Sequence, residues 1–95
     1  MLFRSRRADR AGFLRNVCVA MGNRAEPRFV TPLLHTLAHD PESLVRGHAA
    51  WALGRLARVH ATLADAVDVA LARAMHDTDA FVRDEATAAR LPEDR

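Results

Sequence analysis

The sequence is poor in the residues that mark several common classes of protein. It has no isoleucine and no tyrosine, and aromatic residues make up only 5% of the chain, which disfavours an all-β fold. Its single cysteine, Cys18, excludes an internal disulfide, a zinc knuckle and a cysteine-ligated iron–sulfur cluster. No apolar run approaches the roughly 20 residues that span a bilayer, and the basic N-terminus lacks the apolar core of a secretory signal. We therefore expect a soluble protein in the reducing environment of the cytoplasm.

What the sequence has in abundance is alanine and unevenly distributed charge. Alanine supplies 19 of the 95 residues, which favours closely packed helices in one small domain. All 14 basic residues are arginine. Residues 1–30 hold seven arginines against two acidic residues (net +5), whereas residues 31–95 hold seven arginines against ten acidic residues (net −3). This asymmetry predicts an anionic partner near the N-terminal end of the protein.

Hydrophobic residues recur with helical spacing along almost the whole chain and predict five helices. The predicted helices cover residues 10–21, 28–39, 42–58, 62–76 and 80–91. Gly22 and Asn23 predict the end of the first helix, because glycine readily adopts the left-handed conformation that follows a helix. Pro32 predicts the start of the regular part of the second helix, with Thr31 as the residue that caps this helix. The fold is therefore predicted to be all-α.

The helices repeat along the chain. Residues 39–46 align with residues 76–83 at an offset of 37, and each segment has an aspartate followed six residues later by the arginine of a Val-Arg pair. Because helix–turn–helix units of this period resemble HEAT repeats, we predict a HEAT-like α-α superhelix, a right-handed solenoid. The predicted domain covers residues 10–91, with a half repeat at 10–22 and repeats at 28–58 and 62–91, between a basic segment at 1–9 and a tail at 92–95. Since about three repeats are needed for independent stability, we expect the array to be cut at its N-terminal end.

Two aspartate–arginine pairs recur with the repeat, namely Asp40 with Arg46 and Asp77 with Arg83. Recurrence of this kind favours a structural role over a functional one. We expect each aspartate to cap the following helix or to hold the turn, and each arginine to bridge to a neighbouring repeat.

A cluster of arginines near the N-terminus is the first candidate for binding. It consists of Arg4, Arg6, Arg7, Arg10 and Arg15. Five guanidinium groups this close together are able to neutralise several phosphates of a nucleic acid. A solvated, frayed terminus without a ligand is the alternative interpretation.

A stripe on the third predicted helix is the second candidate. Helical spacing places five residues on one face, Leu44, His48, Trp51, Arg55 and Arg58, separate from the apolar stripe of the core. An aromatic ring interleaved with histidine and arginine suits stacking on an unpaired base, with arginine on the phosphate. The alternative is that Trp51 packs against the preceding repeat, since solenoid helices have two buried sides.

Two segments of the chain carry a more specific pattern. One runs Arg10-Ala-Gly-Phe-Leu-Arg-Asn-Val-Cys-Val-Ala-Met-Gly-Asn23, and the other runs Leu44-Val-Arg-Gly-His-Ala-Ala-Trp-Ala-Leu-Gly-Arg55. Together they resemble the C-terminal domain of the epoxyqueuosine reductase family. Its pattern has an arginine-rich lead-in, Leu-Arg-Asn and Ala-Leu-Gly-Asn, then a HEAT-like repeat with Val-Arg-x-His-Ala-Ala-Trp-Ala-Leu-Gly. The resemblance extends over about residues 3–91.

The resemblance implies a link to the queuosine modification of tRNA. In that family a cobalamin-binding domain and a ferredoxin-like domain with iron–sulfur clusters reduce epoxyqueuosine in the anticodon loop, and the C-terminal helical repeats help to hold the tRNA. The matching motif positions here are Arg15, Asn16, Arg46, His48 and Trp51. Because the cluster cysteines and the cobalamin site are absent from this chain, we expect it to lack catalysis, a metal and a cofactor of its own.

The sequence therefore predicts a tRNA-recognition domain, or a truncated remnant of one. Phosphate contacts are expected from the N-terminal arginine cluster, with Arg55 and Arg58 as weaker candidates. A separately encoded catalytic part is a further expected partner, and no membrane partner is expected. The alternative is a protein–protein interaction adaptor, which the acidic second half of the chain suits better than RNA.

Overall fold

The computed structural model describes residues 6–90 and contains five α-helices in that range. They are α1 (Arg6–Arg24), α2 (Val30–His39), α3 (Ser43–Val59), α4 (Ala64–Ala74) and α5 (Ala80–Arg90), with short 3₁₀ turns at Pro27–Phe29 and Ala61–Leu63. This part of the chain has no β-strand, so the all-α prediction is confirmed. Arg4, the predicted helix end at residue 91 and the tail at 92–95 lie outside the described residues.

Helices stack in two layers to form an α-α solenoid. α1, α3 and α5 lie side by side in one layer, α2 and α4 form the other, and α3 contacts all four remaining helices. The body is elongated, 50 × 26 × 25 Å, because each hairpin contacts only its neighbours. The predicted solenoid architecture is confirmed. None of the helices in residues 6–90 combines the length and the apolar character that crossing a membrane requires.

The core consists of small and aliphatic side chains. On α3, Val45, Ala49, Ala52, Leu53 and Leu56 are fully buried, and they form the apolar stripe that their helical spacing predicts. Among the described residues, no polar or charged residue belongs to the buried set. The many alanines at these contacts let the helices approach closely, which is the structural consequence of the alanine-rich composition.

α1 is longer than the sequence predicts. It begins at Arg6 rather than near residue 10, and it continues beyond Gly22. The chain reverses at Ala25, whose φ of 52° is the left-handed conformation that the sequence predicts near Gly22. His60 stabilises the reversal, since its Nε2–H donates a hydrogen bond to the Ala25 carbonyl oxygen at 2.7 Å. The predicted helix end at Gly22 is therefore wrong, because this glycine lies in the contact between α1 and α3.

The start of α2 also differs from the prediction. A 3₁₀ turn that begins at Pro27 leads directly into α2 at Val30, and no side chain caps the helix. Thr31 and Pro32 lie inside the first helical turn, where proline is tolerated because the amides of that turn have no partner within the helix. The predicted cap at Thr31 is wrong, because the preceding 3₁₀ turn starts the helix without it.

Gly54 should tolerate substitution poorly, because a Cβ at this position would lie 2.8 Å from the Ala89 Cβ and 3.2 Å from the Ala89 Cα. Backbone of α5 is unable to move aside without separating the two helices. We expect Gly54→Val to lower the free energy of unfolding by about 2–3 kcal/mol, as measured by urea denaturation followed by circular dichroism.

Gly12 in α1 is the matched control, since a Cβ there would meet nothing within 4 Å. Gly12→Ala is expected to raise the stability by about 0.5–1 kcal/mol, because alanine has the higher helix propensity. Equal effects of the two substitutions would contradict a close contact between α3 and α5.

Candidate nucleic-acid interface

The outer surface of the α1–α3–α5 layer carries the stripe that the sequence predicts on α3. Leu44, His48, Trp51 and Arg55 are each partly exposed, and Arg58 is exposed. The buried residues of α3 alternate with this stripe at helical spacing and face the core. α3 therefore presents one face to the interior and a second face, rich in aromatic and basic groups, to the layer surface.

Trp51 packs across the contact between α3 and α1. A Cβ on Gly22 would come within 2.5 Å of the Trp51 ring, so the ring is able to approach α1 this closely only because position 22 is glycine. The Arg55 guanidinium lies 5.3 Å from the centroid of the Trp51 ring, and its Nε donates a hydrogen bond to the Gly22 carbonyl oxygen at 3.1 Å. Trp51 thus packs against α1, a helix of the preceding repeat, and also remains partly exposed.

A cleft of about 290 Å³ opens beside Trp51. Its lining comes from all three helices of the layer and consists of Val19, His48, Trp51, Phe81 and Glu85. The His48 Nδ1–H donates a hydrogen bond to the Leu44 carbonyl oxygen at 2.8 Å, and its ring centroid lies 5.5 Å from that of Phe81. In the neutral imidazole this leaves Nε2 as the nitrogen that accepts a hydrogen bond.

Phe81 and Glu85 were not predicted from the sequence as functional residues. A signal for them was nevertheless present, because the repeat offset of 37 places Phe81 at the position of Leu44 and Glu85 at the position of His48. The exposed stripe of α3 therefore continues onto α5, and these two helices form the cleft together with Val19 of α1. The spacing of residues within α3 alone does not indicate this continuation, because Phe81 and Glu85 lie on a different helix.

The Leu-Arg-Asn segment of α1 lies in the same layer. Arg15 precedes the cleft residue Val19 by one helical turn, so the two side chains share a side of α1. The Arg15 Nε donates a hydrogen bond to the Asn16 Oδ1 at 2.9 Å, and Asn16 is exposed. The two segments that carry the family resemblance are thus on neighbouring helices.

Two arginines of the N-terminal cluster pair with carboxylates of the turn between α2 and α3. Arg10 donates to both carboxylate oxygens of Asp40, at 2.7 and 3.3 Å, across a separation of 30 residues. Arg7 forms an ion pair with Glu42. Their charge is therefore partly neutralised within the fold, and Arg7 and Arg10 tie α1 to the next hairpin.

The electrostatics of Asp40 reflect this pairing. Burial favours the neutral acid, but hydrogen bonds from Arg10 and from the Glu42 amide outweigh it and lower the pKa of Asp40 below its usual value. Arg10 in turn has a raised pKa, chiefly because of its hydrogen bond to Asp40.

Among the other members of the N-terminal arginine cluster, Arg6 is exposed at the start of α1 and Arg15 lies near the cleft, whereas Arg4 is outside the described residues.

The recurrent aspartate–arginine pairs form a ladder between repeats. Arg46 donates to both oxygens of Asp77 at 2.9 Å, and its Nη1 donates to the Asp40 carbonyl oxygen, also at 2.9 Å. Arg83 makes the equivalent contact one repeat later, with its Nη1 donating to the Asp77 carbonyl oxygen at 2.8 Å. The hydrogen bond from Arg46 lowers the pKa of Asp77. These contacts hold successive hairpins in register.

The aspartates also order the turns that precede α3 and α5. Asp40 Oδ1 accepts a hydrogen bond from the Glu42 amide at 3.0 Å, and Asp77 Oδ1 accepts one from the Asp79 amide at 2.9 Å. Each carboxylate thus holds its own turn and accepts hydrogen bonds from an arginine of the preceding repeat.

The remaining reactive side chains offer little chemistry. Cys18 is buried, and burial raises the pKa of its thiol to about 11, which keeps it protonated at neutral pH. His35 and His39 are exposed neighbours on α2 with ring centroids 4.7 Å apart. Residues 6–90 contain no group of three or more histidine, cysteine or acidic side chains arranged to hold a metal ion.

Comparison with known proteins places the chain within a repeat architecture. A family model described as HEAT repeats matches residues 5–89, which is most of the chain. No curated protein and no solved structure shows a significant similarity to it.

Proposed function

The chain belongs to the HEAT-repeat family and is a repeat-type interaction domain, and we propose that its partner is tRNA. The proposal follows the resemblance to the C-terminal domain of epoxyqueuosine reductase and places the domain in queuosine modification. It assigns binding to this chain and no catalytic step, metal or cofactor. Reduction would belong to a separately encoded catalytic part, with which this domain would act.

The observation that carries the proposal is the grouping of motif residues on one layer. Trp51 and His48 line the cleft on α3, Arg55 lies over the Trp51 ring, and Arg15 lies one turn from the cleft on α1. Partly exposed aromatic rings bordered by arginine favour unpaired nucleotides, because the rings stack on bases while guanidinium groups bind phosphate.

The structure changes the weight given to individual arginines. Arg7 and Arg10 already bind carboxylates, so a phosphate would have to compete with Glu42 and Asp40 for them. Arg15 and Arg55 lie beside the cleft and are the favoured phosphate contacts. Arg4, Arg6 and Arg58 remain proposed contacts at the edge of the surface.

We expect Arg15→Ala to weaken tRNA binding several-fold and to reduce the slope of log K against log salt concentration by about 1, since one phosphate contact is lost. Filter binding at several salt concentrations measures both quantities. Arg73→Ala is the matched control, because Arg73 is exposed on α4 in the opposite layer and its removal changes the net charge equally.

Two results would contradict the proposal. One is the absence of tRNA binding by the unmodified chain at low salt. The other is an equal loss of binding in the Arg15 and Arg73 variants, which would indicate attraction by net charge without a defined surface. Protein partners that are retained after nuclease treatment, together with no tRNA binding, would favour an adaptor.

A further inference from the structure

The cleft lined by α1, α3 and α5 combines aromatic surface with a carboxylate. Trp51 and Phe81 contribute rings, His48 contributes the Nε2 acceptor, and Glu85 contributes the acidic group. Within residues 6–90, the side chain of Glu85 forms no hydrogen bond or ion pair, in contrast to the side chains of Asp40 and Asp77. A partly exposed carboxylate beside aromatic rings is an acceptor without an internal donor.

We propose that this cleft binds a single unpaired guanine base of the RNA, with Glu85 as the group that selects it. The inference rests on the proposed function, because it assumes an RNA partner. Guanine presents a ring N–H and an exocyclic amino group side by side, and these two donors match the two oxygens of a carboxylate. Adenine, cytosine and uracil each place an acceptor beside their donor on that edge, which a carboxylate repels.

The volume of the cleft and the charges around it suit the binding of one RNA base. A volume of about 290 Å³ lies just below the usual range for drug-sized ligands and admits one base rather than a stacked pair. A cationic peptide side chain would also suit rings and a carboxylate. However, Arg55 lies over Trp51 and Arg15 lies one turn from Val19, so a cation would approach against positive charge while the phosphates of an RNA would be attracted.

The chain carries its own probe for this site. Trp51 is its single tryptophan and tyrosine is absent, so intrinsic fluorescence reports directly on the cleft. We expect a uridine pentaribonucleotide with a central guanosine to quench this fluorescence and to bind about tenfold more tightly than pentamers with a central adenosine, cytidine or uridine. The measurement uses the full chain at low salt.

Two matched variants then isolate the carboxylate. Glu85→Gln keeps the shape of the side chain but loses one acceptor, and it is expected to reduce the tenfold preference for guanosine to about twofold or less. Asp84→Asn removes the same charge from the adjacent, exposed position of α5, which does not line the cleft, and it should leave the preference intact. A loss of preference in both variants would overturn the role of Glu85.

Failure of this inference is distinguishable from failure of the proposed function. If tRNA binds but the four pentamers quench equally, the guanine site is refuted while RNA recognition stands. If a short arginine-containing peptide quenches more strongly than the guanosine pentamer, the cleft is a cation site and the inference is overturned. If neither tRNA nor any pentamer binds, both proposals fall.

Discussion

Leu53→Ala is expected to lower the free energy of unfolding by about 2–5 kcal/mol, because it removes a fully buried side chain from the central helix. α3 contacts all four other helices, so a cavity at this position weakens the packing of both layers at once. A domain of this size has a total stability of roughly 5–14 kcal/mol, and the loss is therefore a large fraction of it. Thermal unfolding should show a melting temperature lower by at least about 10 °C.

Val59→Ala serves as the control for this prediction. Val59 lies at the end of the same helix but is 61% exposed, so the substitution removes little buried apolar surface. We expect a change within about 0.5 kcal/mol. Equal destabilisation by the two substitutions would contradict the placement of Leu53 in the core.

The second large effect is expected at the ladder between repeats, where Asp77→Asn should cost about 2–3 kcal/mol at neutral pH. The Arg46 and Asp77 side chains are only 15% and 14% exposed, so removing the carboxylate charge leaves a shielded guanidinium without its counter-ion. Urea denaturation followed by circular dichroism measures the loss.

The same substitution has a predicted pH dependence. The pKa of Asp77 is lowered in the folded protein, mainly by the Arg46 hydrogen bond, so its stabilisation is fully present above the pKa of the unfolded chain, about 3.9. It is lost as the pH falls through the lower folded pKa. The stability difference between the native chain and the Asp77→Asn variant should therefore shrink as the pH is lowered below about 4. A difference that stays constant between pH 7 and pH 3 would contradict an electrostatic origin.

Asp68→Asn is the control for the ladder. Asp68 also pairs with an arginine, Arg90, but its side chain is 56% exposed and the pair is well solvated. Exposed ion pairs contribute little to stability, so we expect this substitution to leave unfolding nearly unchanged. The contrast between the two aspartates tests whether the position in the ladder matters rather than the presence of an ion pair.

These contacts show that an arginine-rich segment is able to serve the packing of the fold. A run of basic residues near a terminus resembles a nucleic-acid-binding tail, yet Arg7 and Arg10 reach carboxylates that are 35 and 30 residues away. Arg55 likewise supports the α1–α3 contact through Gly22 as well as flanking the cleft. An arginine in a solenoid is therefore able to serve the repeat interface, a ligand surface, or both.

The positions of the helices and of the core were largely predictable from the sequence. The stripe that includes Val45 and Leu53, and the register of 37 residues, depend on side chains that are one or two helical turns apart. The ends of helices were less predictable. Gly22 is a residue type that often ends a helix, but here the absence of a Cβ makes room for the Trp51 ring. The chain reverses direction at Ala25 instead.

What the sequence alone determined is the set of amphipathic helices and their repeat, because periodicity is a local property of the chain. The tertiary structure decided which side chains meet across helices: Arg10 with Asp40, Arg46 with Asp77, and Phe81 and Glu85 with Trp51 around one cleft. Those contacts depend on how helices stack, since residues some 30 positions apart become neighbours only when the two layers form. For that reason the fold could be predicted from local patterns, while the shape and charge of the candidate site required the packed solenoid.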